Sequence, residues 1–250
     1  MKIDVFFTAS GVQPAEVQGR SVVVVDVLRA TTTIAVALDH GAREVVPAAS
    51  TEEALRIAQN LERADVVLAG ERRSTRIPGF ALGNSPLEFT ADAVHGKTIV
   101  LTTTNGTPAL IAAQGAREVI ALAAVNFGVV AQHCRAALEQ AGDLVILCAG
   151  SERRFALEDA FAAGRLTKVV LPEGGLRRVD VNDGALASLE LARHYGERWL
   201  RALRASAHGR ELLELGFRAD LEACAAQDTY PVLPIYADRR ITAYRPANEG

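Results

Sequence analysis

The sequence predicts an α/β fold, with a mostly parallel sheet covered by helices on both faces, on three observations. Short β-branched runs alternate with Ala-rich helical stretches along most of the chain. The run Ser21–Asp26 (SVVVVD) is apolar on both faces, as a strand buried between two helical layers must be. Charged and hydroxyl side chains gather just after the predicted strands, where parallel sheets bind ligands.

The elements follow in order. Met1–Phe7 alternates polar and apolar residues and reads as a strand. Ser21–Asp26 is a strand and Ala30–Asp39 a helix. Glu44–Val46 is a short strand, followed by a helix over Thr51–Leu61 whose Thr and two Glu suit a capped start. Val66–Ala69 is a strand, and the Gly/Pro-rich stretch Gly70–Pro86 reads as a long functional loop inside the pattern. Thr98–Thr102 is a strand, followed by a helix near Thr107–Gln114. The strands Glu118–Leu122 and Asp143–Cys148 flank a helix from about Phe127 to Gln140, and another helix follows near Leu157–Ala163. Asp183–Ala226 turns helical, and Val232–Tyr236 with Arg239–Tyr244 reads as a final hairpin across Asp238. With no linker, fixed-period repeat or low-complexity segment, residues 1–250 read as one domain, helix-rich from about 183.

Composition narrows the function. A net charge of -3 gives no global attraction to nucleic acid or to an anionic membrane. Of 27 basic residues only Lys2, Lys97 and Lys168 are lysines, so 24 are arginines. Arginine presents a planar fork suited to phosphate, sulfonate and carboxylate. Compositional bias accounts for the count, so individual positions carry the argument. The cysteines Cys134, Cys148 and Cys224, with no targeting peptide, point to a reducing cytoplasm. No apolar run reaches the roughly 20 residues of a membrane span, and a homo-oligomer is the default expectation.

Four segments carry chemistry. In Asp26-Val27-Leu28-Arg29-Ala30-Thr31-Thr32-Thr33 a carboxylate ends a buried strand, an arginine follows, and three hydroxyls open a helix. Asp26 can bind a metal or attack phosphorus, Arg29 can clamp a phosphate, and the threonines can donate to it. The same residues also suit a capped helix with an Asp26–Arg29 pair, and that alternative stays open. Thr102-Thr103-Thr104-Asn105-Gly106-Thr107 repeats the layout, which favours two helix starts converging on one anion. Glu71 and Arg72 follow a third strand, and Asn84 and Ser85 can donate to an anion or cap a helix starting near Pro86. After Cys148, the pair Glu158 and Asp159 can join the same rim, or favour the start of a helix. Together Asp26, Glu71, Glu158 and Asp159 offer oxygen ligands for Mg²⁺ beside arginines and hydroxyls for an anion, the parts of metal-assisted phosphate hydrolysis.

DVLRATTT (26–33), GER (70–72), IPGFALGNSP (77–86), TTTNGT (102–107) and CAG…F-x-LED…AG (148–164) resemble, in order, the 2-phosphosulfolactate phosphatase (ComB-like) family. The likeness continues through Gly209-Arg210, Leu215-Gly216, Asp220 and Cys224 to Pro231–Pro234. It implies a three-layer α/β/α fold and Mg²⁺-dependent hydrolysis of 2-phospho-3-sulfolactate to 3-sulfolactate and phosphate, a step of coenzyme M biosynthesis. It also implies Asp26 and Glu71 as the leading metal or catalytic residues, then Glu158 and Asp159. Arg29, Arg72, Thr31, Thr32, Thr33, Thr102, Thr103, Thr104 and Asn105 would hold the anion, and Arg210 is a candidate for the sulfonate.

Other readings are weaker. Asp-x-Asp-x-Thr is absent, because Leu28 stands two places after Asp26, and there is no P-loop, dinucleotide glycine motif or zinc spacing. Cys148 and Arg154 do match Cys-x5-Arg, the loop of thiolate phosphatases. A non-catalytic anion sensor would be poorly served by four acids, which repel an anion without a metal. A phosphatase for another small phosphorylated 2-hydroxy acid is the closest competitor.

Overall fold

The computed structural model of the chain describes residues 1–62 and 65–244. The strands are β1 (Lys2–Phe6), β2 (Ser21–Val25), β3 (Glu44–Pro47), β4 (Val66–Arg72), β5 (Thr75–Arg76), β6 (Thr98–Thr102), β7 (Glu118–Leu122), β8 (Asp143–Cys148), β9 (Asp180–Val181), β10 (Pro234–Ala237) and β11 (Arg240–Ala243). They form one mixed sheet in the order β5-β4-β6-β3-β11-β10-β7-β2-β8-β1-β9. β4, β6 and β3 run parallel to one another, as do β7, β2, β8, β1 and β9. The hairpin β10–β11 enters antiparallel between these halves, pairing Tyr236 with Val119 and Ile241 with Val45. The anticipated mostly parallel sheet is therefore present, made mixed by this hairpin, which turns at Asp238-Arg239, both at positive φ.

Among the described residues eleven α-helices surround it: α1 (Pro14–Val17), α2 (Ala30–Asp39), α3 (Thr51–Gln59), α4 (Ala91–Val94), α5 (Gly106–Ala112), α6 (Phe127–Ala141), α7 (Leu157–Val170), α8 (Asp183–Tyr195), α9 (Trp199–Ala205), α10 (Ala207–Glu214) and α11 (Arg218–Cys224). Because side chains alternate along a strand, β2 serves both faces. Val22 and Val24 join Ile34 and Leu38 of α2 and Leu110 of α5. Val23 and Val25 join Phe161 of α7, Trp199 of α9 and Leu221 of α11 on the other face. Every residue of β2 is buried, as its uninterrupted valines require. This is the three-layer α/β/α arrangement that the sequence predicts.

Two differences from the sequence reading have local causes. The cap of α3 is Ser50, whose Oγ accepts the Glu53 N–H at 3.1 Å, so the helix starts one residue after its capping side chain. Helix α7 runs past Ala163 to Val170, because Gly164 is a contact point and not a stop. A Cβ there would lie 1.8 Å from the Ser188 carbonyl oxygen, so only glycine lets α8 approach. Among the described residues no helix is long and apolar enough to cross a membrane.

Candidate active site

The predicted strand ends do converge. Four strands separate β6 from β2 in the sheet order, yet the turn after β6 packs on the residue after β2. A Cβ on Gly106 would sit 2.5 Å from Asp26 Oδ2. Asp26 is buried, and Ala30 at the start of α2 donates its N–H to Oδ1 at 3.3 Å. Burial, with repulsion from Glu71 and Glu158, pushes its carboxyl up to about 7 against the pull of that N–H and of Arg29. Burial is the largest cause, and the two neighbouring acids add to it.

The four carboxylates are not equivalent. Glu71 accepts the Thr104 N–H at 2.7 Å and hydroxyl at 3.2 Å, and the Ser74 N–H at 2.9 Å. It thereby ties β4 to the turn after β6. Asp159 accepts the N–H of Val27 at 3.0 Å and of Gly150 at 3.1 Å, joining the ends of β2 and β8. Burial and the neighbouring Glu158 and Asp26 nonetheless raise its carboxyl well above the usual range. Glu158 is also buried and raised, chiefly by desolvation, with His208 Nδ1 3.9 Å from its Oε1.

The hydroxyl runs prove largely architectural. Thr31 donates to the Asp26 carbonyl at 2.7 Å, Thr32 to that of Val27 at 2.9 Å and Thr33 to that of Asn84 at 2.9 Å. Thr103 Oγ1 accepts the Thr107 N–H at 3.0 Å, and Thr104 is engaged by Glu71. Thr102 Oγ1 accepts from Arg72 at 3.0 Å, and Arg72 also donates to the Glu71 carbonyl at 2.7 Å. Asn105 Oδ1 accepts the Glu152 N–H at 3.0 Å. These bonds fix the strand-to-helix turns, so the threonines build the floor of the site more than they face a ligand.

Arg29 is buried, with donors on Asp220 at 2.6 Å and the Ser74 carbonyl at 2.9 Å, and Phe217 covers its face at 4.5 Å. Arg72 is only partly buried. Ser85 donates to Asp220 at 2.9 Å, and the buried Asn84 Oδ1 has no hydrogen-bond partner among the described residues. Arg210 is not brought to this cluster. It is exposed, and its guanidinium returns to the carbonyl of Ala205, the last residue of α9.

The sequence reading gave no role to Ser74, His208 and Glu211, and cited Asp220 only as part of a resemblance. Ser74 occupies a two-residue turn with Arg73, both at positive φ. It contacts Glu71 and Arg29 through its backbone, and His208 at 3.3 Å and Glu211 at 3.2 Å through its hydroxyl. No local pattern announces these contacts, which span 134 and 137 positions.

Cys148 is fully buried in β8, and burial first, then Asp159 and Glu158, push its thiol well above its ordinary value. A thiolate nucleophile needs the opposite shift. Arg154 is exposed in a tight turn with Ser151. The geometry therefore gives no support to a Cys-x5-Arg loop.

Comparison with known proteins decides the family. The model of the 2-phosphosulpholactate phosphatase family matches residues 6–239. This chain belongs to that family. A protein of Symbiobacterium thermophilum named "Probable 2-phosphosulfolactate phosphatase" is 42% identical over 231 residues, covering 92% of this chain and 97% of its own length. Proteins of the same name from Caldanaerobacter subterraneus subsp. tengcongensis and Thermotoga maritima are 36% identical over 234 residues and 38% identical over 226. The first alignment covers 94% of this chain and 95% of its relative, the second 87% and 89%. As a member of the 2-phosphosulpholactate phosphatase family the chain is a phosphoric monoester hydrolase.

Proposed function

We propose that this chain hydrolyses 2-phospho-3-sulfolactate to 3-sulfolactate and phosphate, with Mg²⁺ held by Asp26 and Glu158. The observation that carries the reading is this pair of buried carboxylates, both raised by desolvation and close enough for Glu158 to push Asp26 higher. A cation between them would relieve that repulsion. Among the described residues no three His, Cys, Asp or Glu side chains form a ready metal shell. A two-carboxylate set fits Mg²⁺, which keeps several waters and completes its coordination with substrate phosphate. It would not fit zinc, whose sites draw on three or four protein ligands. Glu71 and Asp159, with both oxygens committed to turn amides, act as the frame.

When bound, the ion supplies charge to stabilise the phosphoryl oxygens and orients its own waters. The chain's residues do the rest. Arg72, partly exposed and fixed on Thr102 at 3.0 Å, directs its remaining N–H groups at the phosphate. Arg29, held by Asp220 and Ser74, adds fixed positive charge behind Asp26 and keeps the turn after β2 in place. Helices on both faces keep bulk water from the carboxylates, which strengthens each of these interactions. The coenzyme M role belongs to the same proposal and rests on the family resemblance, and the cytoplasmic setting belongs to it on the three free cysteines.

The test is phosphate release from 2-phosphosulfolactate, 2-phospholactate and phosphoglycolate, with Mg²⁺ and with EDTA. Expected is Mg²⁺-dependent release with highest kcat/KM on the sulfonated ester. Release undiminished by EDTA would overturn the metal role, and a preference for an unsulfonated ester would overturn the substrate.

A further inference from the structure

A second feature on the same rim is not used by that chemistry. A cavity of about 310 Å³ opens between the turn after β6 and the segment after β8, lined by Ser10, Thr104, Asn105, Pro108, Ala149 and Arg153 among others. It adjoins the acidic cluster on two sides. Thr104 holds Glu71, and Gly106, next to Asn105, packs on Asp26. The Ala149 N–H is bonded to the carbonyl of Val25, the residue before Asp26, at 2.8 Å.

The segment that carries Arg153 is built, not loose. Ser151 and Arg154 exchange backbone hydrogen bonds at 3.0 and 2.9 Å, while Glu152 and Arg153 between them both have positive φ. That is the backbone of a two-residue turn of type I′. Its base is fixed by the Gly150 N–H on Asp159, and its tip by the Glu152 N–H on Asn105, at 3.1 and 3.0 Å. Phe155 packs edge-on against Phe7 at 5.1 Å. The turn is thus anchored to a catalytic-rim carboxylate and to the turn after β6, with Arg153 at its tip facing the cavity.

Arg153 makes no ion pair or hydrogen bond among the described residues. Asn105 uses its side-chain oxygen on Glu152, which leaves its Nδ2 donors, and Thr8 and Ser10 share one hydrogen bond, which leaves one hydroxyl proton. A guanidinium, an amide and a hydroxyl therefore face one small cavity beside a phosphatase site. The exposed Glu152 is the nearest acid along the chain, and it does not line the cavity.

We propose that this cavity is the specificity subsite, in which Arg153 binds the sulfonate of the phosphoester while the phosphate lies over Asp26 and Glu158. The assignment rests on the substrate proposed above. Three oxygens on sulfur match the fork of an arginine, and the alanines and proline of the wall accept the adjoining methylene.

The test pairs kinetics with binding. For Arg153→Met and Arg153→Lys, kcat and KM are measured on 2-phosphosulfolactate and 2-phospholactate, and sulfoacetate binding is measured by calorimetric titration. Arg153→Met is expected to lower the ratio of kcat/KM for the sulfonated over the unsulfonated ester by about 10- to 100-fold, through KM, with Arg153→Lys intermediate. It is also expected to weaken sulfoacetate binding. An unchanged ratio with sulfonated turnover intact overturns the subsite and leaves the function standing. Sulfoacetate binding that depends on Arg153, in a chain that releases no phosphate from the sulfonated ester, overturns the function and leaves the subsite standing. Sulfoacetate bound equally by the native chain and Arg153→Met overturns the subsite in either case.

Discussion

Arg29 donates to Asp220 at 2.6 Å across 191 positions of sequence, with both side chains buried. The pair joins the turn after β2 to α11, and Ser85 completes the Asp220 carboxylate. Removing one member of a buried pair leaves the other charged and unpaired. Asp220→Ala is therefore expected to cost about 3–5 kcal/mol in urea unfolding, and Arg29→Met with Asp220→Leu markedly less. A double-variant loss equal to the sum of the two single-variant losses would show that the charges are not coupled.

Asp26→Asn should abolish turnover, by about 10²- to 10³-fold or more, with the fold kept. It should also change how stability follows pH. The folded carboxyl is raised from 3.8 to about 7, so its stabilising contribution is full below 3.8 and lost as pH rises through 7. In EDTA the native chain therefore forfeits up to roughly 4 kcal/mol by pH 8 from this group. The variant has no such ionisation, so its unfolding temperature should fall less from pH 5 to pH 8. Identical slopes would mean that Asp26 is ionised in the folded state throughout.

Gly106→Ala addresses the same carboxylate sterically. Its Cβ would lie 2.4 Å from that of Ala30 and 2.5 Å from Asp26 Oδ2, so the carboxylate must move. A displacement of this kind is expected to lower kcat about 10²-fold. Native kcat would show that Asp26 can shift without consequence.

Cys148→Ser is expected to keep most activity, and iodoacetamide to leave the folded native chain active, since the thiol is buried and held protonated. Complete inactivation of the folded variant would restore a thiol mechanism.

His133 and Glu118 meet at 2.8 Å at the opposite end of the sheet. Their hydrogen bond raises the imidazolium above 6.5 and lowers the carboxyl below 4.5. The His133 contribution is full below pH 6.5 and lost as pH rises through the raised value. The Glu118 contribution is full above pH 4.5 and lost on acidification. His133→Gln should flatten the fall in stability above pH 6.5, modestly, since both groups are partly solvated.

The alternation of strand and helix was legible because valine runs and Ala-rich stretches report burial directly, as β2 and α2 do. The strand ends were legible for the same reason, and they place Asp26, Glu71, Glu158 and Asp159 together. The division of labour among them was not. Whether a carboxylate faces a ligand or a turn amide depends on partners such as Val27 and Gly150 for Asp159, set by packing far along the chain. The threonines misled for a related reason, since a hydroxyl after a strand serves a neighbouring carbonyl as readily as a phosphate. Ser74 and His208 lacked any local signature, and only the hairpin turn and α10 bring them to the rim.

Among the described residues the hairpin β10–β11 is the only bridge between two parallel half-sheets, and a ribosome makes it after every strand it joins. Until then β3 and β7 each present an open edge of backbone donors and acceptors, the kind of edge on which chains add to one another. The hairpin acts as a keystone laid last. A nascent chain stalled before Pro234 would expose two templates for association, so damage to this short segment should appear as aggregation during synthesis before it appears as lost catalysis.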